Sequence, residues 1–115
     1  MAISAAAKVG NQILFGKEYT GEARIRITLD NAYPNPGGYT SFIATTVKGI
    51  SGLEGVTVFD VPTTLITNGA GAFLLTYYNR ATDALRLVVA ATGVEVANGV
   101  DLSLYAAVEL IVRYY

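Results

Sequence analysis

The sequence is short, apolar and sparsely charged: of its 115 residues, 52% are apolar and 15% are charged, and the formal net charge is −1. This length fits one domain with a single core. The chain has no cysteine and no histidine, which excludes disulfides, thiolate metal sites and a histidine-activated nucleophile. Its basic residues are scattered and no run of roughly 18 apolar residues occurs, so we expect no nucleic-acid partner and no membrane partner.

The low share of charged residues also bears on the surface of the protein. An ordinary soluble domain has roughly 25% charged residues, and soluble monomers rarely leave large apolar patches in contact with water. We therefore expect the chain to self-associate or to bind another protein. A monomer whose surface is rich in Thr, Asn and Gly is the alternative.

The first 16 residues are small and lack a helix cap, so they are predicted to form an extended N-terminal arm. Such an arm is disordered alone or ordered against a partner. The remaining residues, 17–115, make up the predicted β-domain.

The clearest strand signal lies in residues 23–30, where apolar and polar side chains alternate. A period of two predicts a half-buried strand. The stretch that follows, residues 30–38, contains Pro34, Pro36 and a glycine pair. Proline removes a backbone donor and glycine permits positive φ, so this stretch is predicted to be a structured loop.

Further β-rich runs follow, each separated from the next by turn residues. The run before residue 79 and the run after residue 84 are predicted to form a hairpin. The final run tolerates a helix, but its Val, Ile and Tyr content favours a strand. The chain is therefore predicted to be all-β, a single-domain β-sandwich or jelly-roll-like barrel. The predicted runs are residues 39–47, 56–61, 72–78, 85–90, 94–97 and 106–115.

The acidic residues offer little chemistry. Asp60, Asp83 and Asp101 fall at predicted strand ends, where carboxylates commonly cap turns. A divalent cation at Asp60 or Asp101 is an alternative, but no calcium-loop spacing is present. We expect no catalytic residue, no metal and no cofactor, and hence no enzyme activity.

The tyrosines are the side chains with most functional content. Tyrosine combines a large apolar ring with a polar tip, which suits interface anchors and sugar-stacking platforms. Tyr77 and Tyr105 could instead simply close the core. The eight are Tyr19, Tyr33, Tyr39, Tyr77, Tyr78, Tyr105, Tyr114 and Tyr115.

Three segments resemble a group of small tailed-phage virion proteins, the head decoration or capsid cement proteins. Residues 26–38, RITLDNAYPNPGG, are similar to a strand followed by an Asp-x-x-Tyr-Pro-x-Gly-Gly turn in that family. The second segment is the hairpin at 74–87, and the third is 95–102, EVANGVDL, before an apolar last strand. The chain departs from the family at Pro36, an extra residue, and in its terminal Val-Arg-Tyr-Tyr.

The resemblance implies a structural protein on the outer surface of a virion capsid. Its implied partners are the major capsid protein and further copies of itself, as a homotrimer that bridges capsid subunits and stabilises the head. The two departures single out the loop and the C-terminal strand as contact regions. The candidate interface residues are Tyr33, Pro34, Pro36, Tyr39, Tyr78, Arg113, Tyr114 and Tyr115.

Two other functions remain open at the level of sequence. A tail or fibre recognition module would bind a host surface carbohydrate with Tyr33, Tyr39 and Tyr78. A carbohydrate-cleaving enzyme would need two carboxylates roughly 5 to 10 Å apart in a cleft, and no such pair stands out.

Overall fold

The computed structural model describes residue 3 and residues 5–14, 21–105 and 108–115. Within these residues seven strands form two antiparallel sheets around one core, which confirms the predicted all-β sandwich. None of the described helices is long and apolar enough to cross a bilayer. The elements are β1 (Ala5–Leu14), β2 (Gly21–Thr28), a π-helix (Phe42–Val47), β3 (Val58–Asp60), β4 (Leu65–Thr67), β5 (Phe73–Asn79), β6 (Ala84–Val89) and β7 (Val108–Tyr114).

The larger sheet has the order β1-β2-β7-β3. Its centre is the pairing of β2 with β7, in which Ile25 faces Leu110 and Ile27 faces Val108. All four side chains are buried, because alternate residues of both strands point into the core. The predicted alternating strand and the predicted final strand are therefore confirmed.

The smaller sheet has the order β4-β5-β6, and the predicted hairpin joins β5 to β6. Its inward side chains include Leu74 and the buried Thr76, whose Oγ1 accepts the Thr64 N–H at 2.9 Å. Strand β4 was not among the predicted runs. Its pairing with β5 leaves it at the open edge of this sheet.

The predicted strand at 39–47 is wrong for most of its length. Tyr39 forms a single bridge with Leu85, and a π-helix follows from residue 42. The carboxylate of Asp83 accepts the N–H groups of Ile43 at 2.8 Å and Ala44 at 3.1 Å, which satisfies donors at the start of the helix. The β-branched run favours a strand locally, but this contact with a residue 40 positions away decides the conformation. The predicted run at 94–97 is likewise reduced to one bridge, between Glu95 and Val88.

Most of the predicted N-terminal arm lies in the larger sheet. Strand β1 pairs with β2 from Ala5 opposite Thr28 to Leu14 opposite Gly21, with an irregular register between Val9 and Ile13. This part of the chain is thus ordered against its own domain. The predicted boundary at residues 16 and 17 lies outside the described residues, as does Tyr19.

Candidate functional site

An apolar groove of about 770 Å³ lies at one end of the smaller sheet. Leu65, Phe73 and Val100 contribute exposed apolar side chains to it. A volume of this size lies in the usual range for binding pockets, roughly 300 to 1,000 Å³. The lining residues are Leu65, Gly71, Ala72, Phe73, Leu74, Val89, Ala90, Ala91, Val96, Ala97, Val100, Leu102 and Tyr105.

One wall of the groove is the segment 96–105, which has little regular structure of its own. The proline-containing loop holds it in place: Asn35 Nδ2 donates to the Val96 carbonyl at 2.6 Å. At the other end of the wall, the Leu102 N–H donates to the Asp30 carbonyl at 3.1 Å. These long-range bonds fix the wall against the sandwich, so the groove is built into the fold.

Tyr33 links this loop to the smaller sheet. Its ring is fully buried, and its hydroxyl donates to Glu95 Oε2 at 2.7 Å while accepting the Leu87 N–H at 3.1 Å. Glu95 also accepts the Gly37 N–H at 3.1 Å and pairs with Arg86 at 3.3 Å. Burial, and then the hydrogen bond to Glu95, raise the pKa of Tyr33 above its usual range. The hydroxyl therefore stays protonated and acts as a structural donor.

Tyr39 has a similar structural role beside Tyr33. The two rings meet edge to face, with centroids 5.7 Å apart, and the Tyr39 hydroxyl donates to Asp30 Oδ1 at 3.0 Å. Burial, followed by this hydrogen bond, raises the pKa of Tyr39. Edge-to-face pairing in a buried site stabilises the core beyond simple area burial.

The candidate interface residues do not form one surface. The side chains of Tyr33, Tyr39 and Tyr114 are 0%, 2% and 5% exposed, so these rings lie in the core. A sugar platform built on Tyr33 and Tyr39 is therefore not present on the surface. Tyr78 is half-buried and donates to Asp83 Oδ1 at 2.6 Å, and burial raises its pKa.

The other four candidates are wholly or partly exposed, on two different elements. Pro34 and Pro36 lie in the loop near Glu95, where Pro36 is exposed. Arg113 and Tyr115 lie at the end of β7, where the Tyr115 ring packs against Phe59 at a tilt of 37°, with 5.3 Å between centroids. Neither pair is among the residues that line the groove.

The outer face of the larger sheet carries paired charges. Arg26 contacts Glu109 at 2.6 Å, which holds the pKa of Glu109 below its usual range. Arg113 contacts Glu22 and Asp60, each at 3.2 Å. Exposed pairs of this kind contribute little stability, but they leave few unpaired charges on this face.

The outer face of the smaller sheet is mostly apolar, although Arg86 of β6 lies on it opposite Tyr77. Leu65, Leu75 and Val88 form one row across the three strands, and Phe73 and Tyr77 flank Leu75 on the same face of β5. The sequence predicts the hairpin of β5 and β6 but does not show which face of β5 is the outer one. The sequence does show that β5 is largely apolar on both of its faces. This pattern is expected of a strand whose two faces are both covered by protein.

The carboxylates of the described chain are engaged in structural contacts. Asp83 caps the π-helix, Asp60 pairs with Arg113, and Asp101 accepts the N–H and hydroxyl of Ser103 at 2.8 and 2.6 Å. The bonds from Ser103 lower the pKa of Asp101. In the part of the chain that the structure describes, no three acidic side chains gather in a way that could hold a metal ion. The groove and the outer face of the smaller sheet offer a partner apolar contact area.

No protein-family model, curated protein or solved structure matches the chain. The resemblance to capsid decoration proteins therefore stays a prediction. The three segments that carry it do meet in the fold, since Tyr33 of the first bonds to Leu87 of the second and Glu95 of the third.

Proposed function

We propose that the chain is a virion structural protein of the capsid decoration, or cement, type. It self-associates as a trimer on the outer surface of the capsid and bridges subunits of the major capsid protein. The observation that carries the proposal is the open apolar groove, together with the apolar outer face of the smaller sheet. Exposed apolar area that is continuous over several side chains is typical of protein contact sites.

The energetics of the groove suit a protein that acts at many sites at once. Fully burying one large apolar side chain contributes about 1.5 to 3 kcal/mol, and Leu65 and Phe73 are already about half-buried. Each would then contribute roughly 1 kcal/mol to a contact. A ligand that binds only the assembled shell stabilises it at every occupied site, so modest contacts add up over the capsid.

A matched pair of leucine variants tests the contribution of the groove. Leu65 lines the groove and is 58% exposed, whereas Leu104 does not line it and is 71% exposed. We expect Leu65→Ser to weaken binding to expanded shells of the major capsid protein about fivefold, corresponding to roughly 1 kcal/mol of lost burial. Leu104→Ser should leave binding unchanged, and circular dichroism checks that both variants fold.

Cosedimentation with the shells measures this affinity, and light scattering measures self-association. A chain that stays monomeric at high concentration and does not bind the shells would rule out the cement function. If both leucine variants lose affinity equally, the groove is not the contact surface.

A further inference from the structure

Two Asn-Gly dipeptides occupy turns in this fold, at Asn68-Gly69 and Asn98-Gly99. Their glycines adopt nearly the same backbone angle, with φ of +81° and +82°, but their amide groups have different partners. We propose that Asn68 is a site of spontaneous deamidation and isomerisation, and that the fold protects Asn98 from the same reaction.

The reaction needs only water. The backbone nitrogen of Gly69 loses its proton to solvent hydroxide and attacks Cγ of Asn68. A bond forms between this nitrogen and Cγ, the bond from Cγ to Nδ2 breaks, and Nδ2 leaves as ammonia after taking up a proton from water. Water then opens the resulting succinimide ring at either carbonyl, which gives aspartate or isoaspartate. The step is intramolecular, so its rate depends on how the two reacting groups are held.

The turn at Asn68 favours this attack. Asn68 Oδ1 accepts the N–H of Ala70 at 2.8 Å and the N–H of Ala72 at 3.3 Å. These donors point at the oxygen that becomes negatively charged when Cγ is attacked, as donors do in an oxyanion hole. The Gly69 N–H donates to the exposed Thr67 hydroxyl at 3.1 Å, an acceptor that water can replace with little loss.

The turn at Asn98 holds its glycine amide more firmly. The Gly99 N–H donates to the backbone carbonyl of the fully buried Tyr33 at 2.9 Å, and Asn98 Oδ1 accepts the Asn35 N–H at 3.1 Å. The Gly99 N–H bond must open before the nitrogen can attack Cγ, and its acceptor is a backbone carbonyl of the core, whereas the acceptor of the Gly69 N–H is an exposed hydroxyl. Losing this one hydrogen bond, at ordinary net strength, slows the reaction by about fivefold.

Reaction at Asn68 would change the border of the groove. The turn leads directly into Gly71 and Ala72, which line it. The new carboxylate would add one negative charge to a chain whose formal net charge is −1. This charge would lie next to an apolar surface. An effect on partner binding rests on the proposed function, whereas the chemistry itself does not.

The test follows the full-length chain during incubation in mildly alkaline buffer, with peptide mass spectrometry of the two asparagine-containing peptides. We expect the Asn68 peptide to convert about fivefold faster than the Asn98 peptide in the folded protein. The control is the same incubation in denaturant, where the two rates should become similar because only local sequence remains.

Each other outcome contradicts the inference. Equal rates in the folded chain would show that the Tyr33 contact does not protect Asn98. A difference that persists in denaturant would assign the selectivity to sequence. Absence of conversion at Asn68 in the folded chain would show that the turn blocks the attack. None of these outcomes depends on capsid binding, so the inference and the proposed function can fail separately.

Discussion

Replacing Tyr33 with phenylalanine tests whether its hydroxyl holds the groove wall to the smaller sheet. The substitution keeps the buried ring and its edge-to-face contact with Tyr39. It removes one hydrogen bond donated to Glu95 at 2.7 Å and one accepted from the Leu87 N–H at 3.1 Å. The change is therefore confined to polar contacts inside an otherwise intact core.

The expected loss follows from these two contacts. A hydrogen bond to a charged group contributes about 1.5 to 3 kcal/mol. The Leu87 N–H lies in the core and would lose an acceptor, which costs about 1 kcal/mol or more. Glu95 keeps the Gly37 N–H and Arg86 as partners, which reduces the total. We expect Tyr33→Phe to lower the free energy of unfolding by about 2 to 4 kcal/mol.

Urea unfolding, followed by circular dichroism and tyrosine fluorescence, measures this loss. Tyr77→Phe is the matched control, because this residue is 44% exposed on the outer face of β5. The control should change the free energy of unfolding by less than about 0.5 kcal/mol. If Tyr33→Phe were as stable as the control, the hydroxyl network would not be holding the wall, and the interpretation of Tyr33 as a structural donor would be wrong.

Two further predictions concern the loop glycines and alkaline pH. Gly38 has a φ of +85°, and a Cβ there would collide with the Leu85 carbonyl, so Gly38→Ala should lower the free energy of unfolding by more than about 3 kcal/mol. Gly37 has a φ of +98° but open space around it, so Gly37→Ala should lower it by about 1 kcal/mol. Unfolding midpoints compare the two variants. Burial raises the pKa of Tyr33 and Tyr39 in the folded state, so their contribution to stability is complete below the unfolded pKa of about 10 and falls as pH rises above it. Unfolding measured from about pH 9 to about pH 12 should show this decline, and constant stability over that range would contradict it.

The sandwich could be predicted where a strand's own residues determine which side is buried. The alternation in residues 23–30 appears in the structure as the buried Ile25 and Ile27 of β2. The π-helix could not be predicted in this way. Its local sequence, Phe42–Val47, is rich in residues that favour strands, and the contact that caps it comes from Asp83, far along the chain.

The site was less predictable, because it depends on contacts between distant segments. Sequence reasoning valued Tyr33 and Tyr39 as surface anchors, yet their hydroxyls find carboxylate acceptors inside the fold. Tyrosine suits either place, and only the position of Glu95 and Asp30 decides between them. The groove likewise exists only where the end of the smaller sheet meets the segment 96–105, which no local pattern reveals.

The two outer faces of the sandwich give the molecule a built-in polarity. Three arginines and three carboxylates contact one another on the larger sheet, so their charges balance on that side, while the opposite side is mostly apolar apart from the Arg86–Glu95 pair. The free energy of contact with an apolar boundary therefore depends on which of the two faces the molecule presents. Under the proposed function, contact through the smaller sheet buries apolar area and leaves the ion pairs of the larger sheet in water.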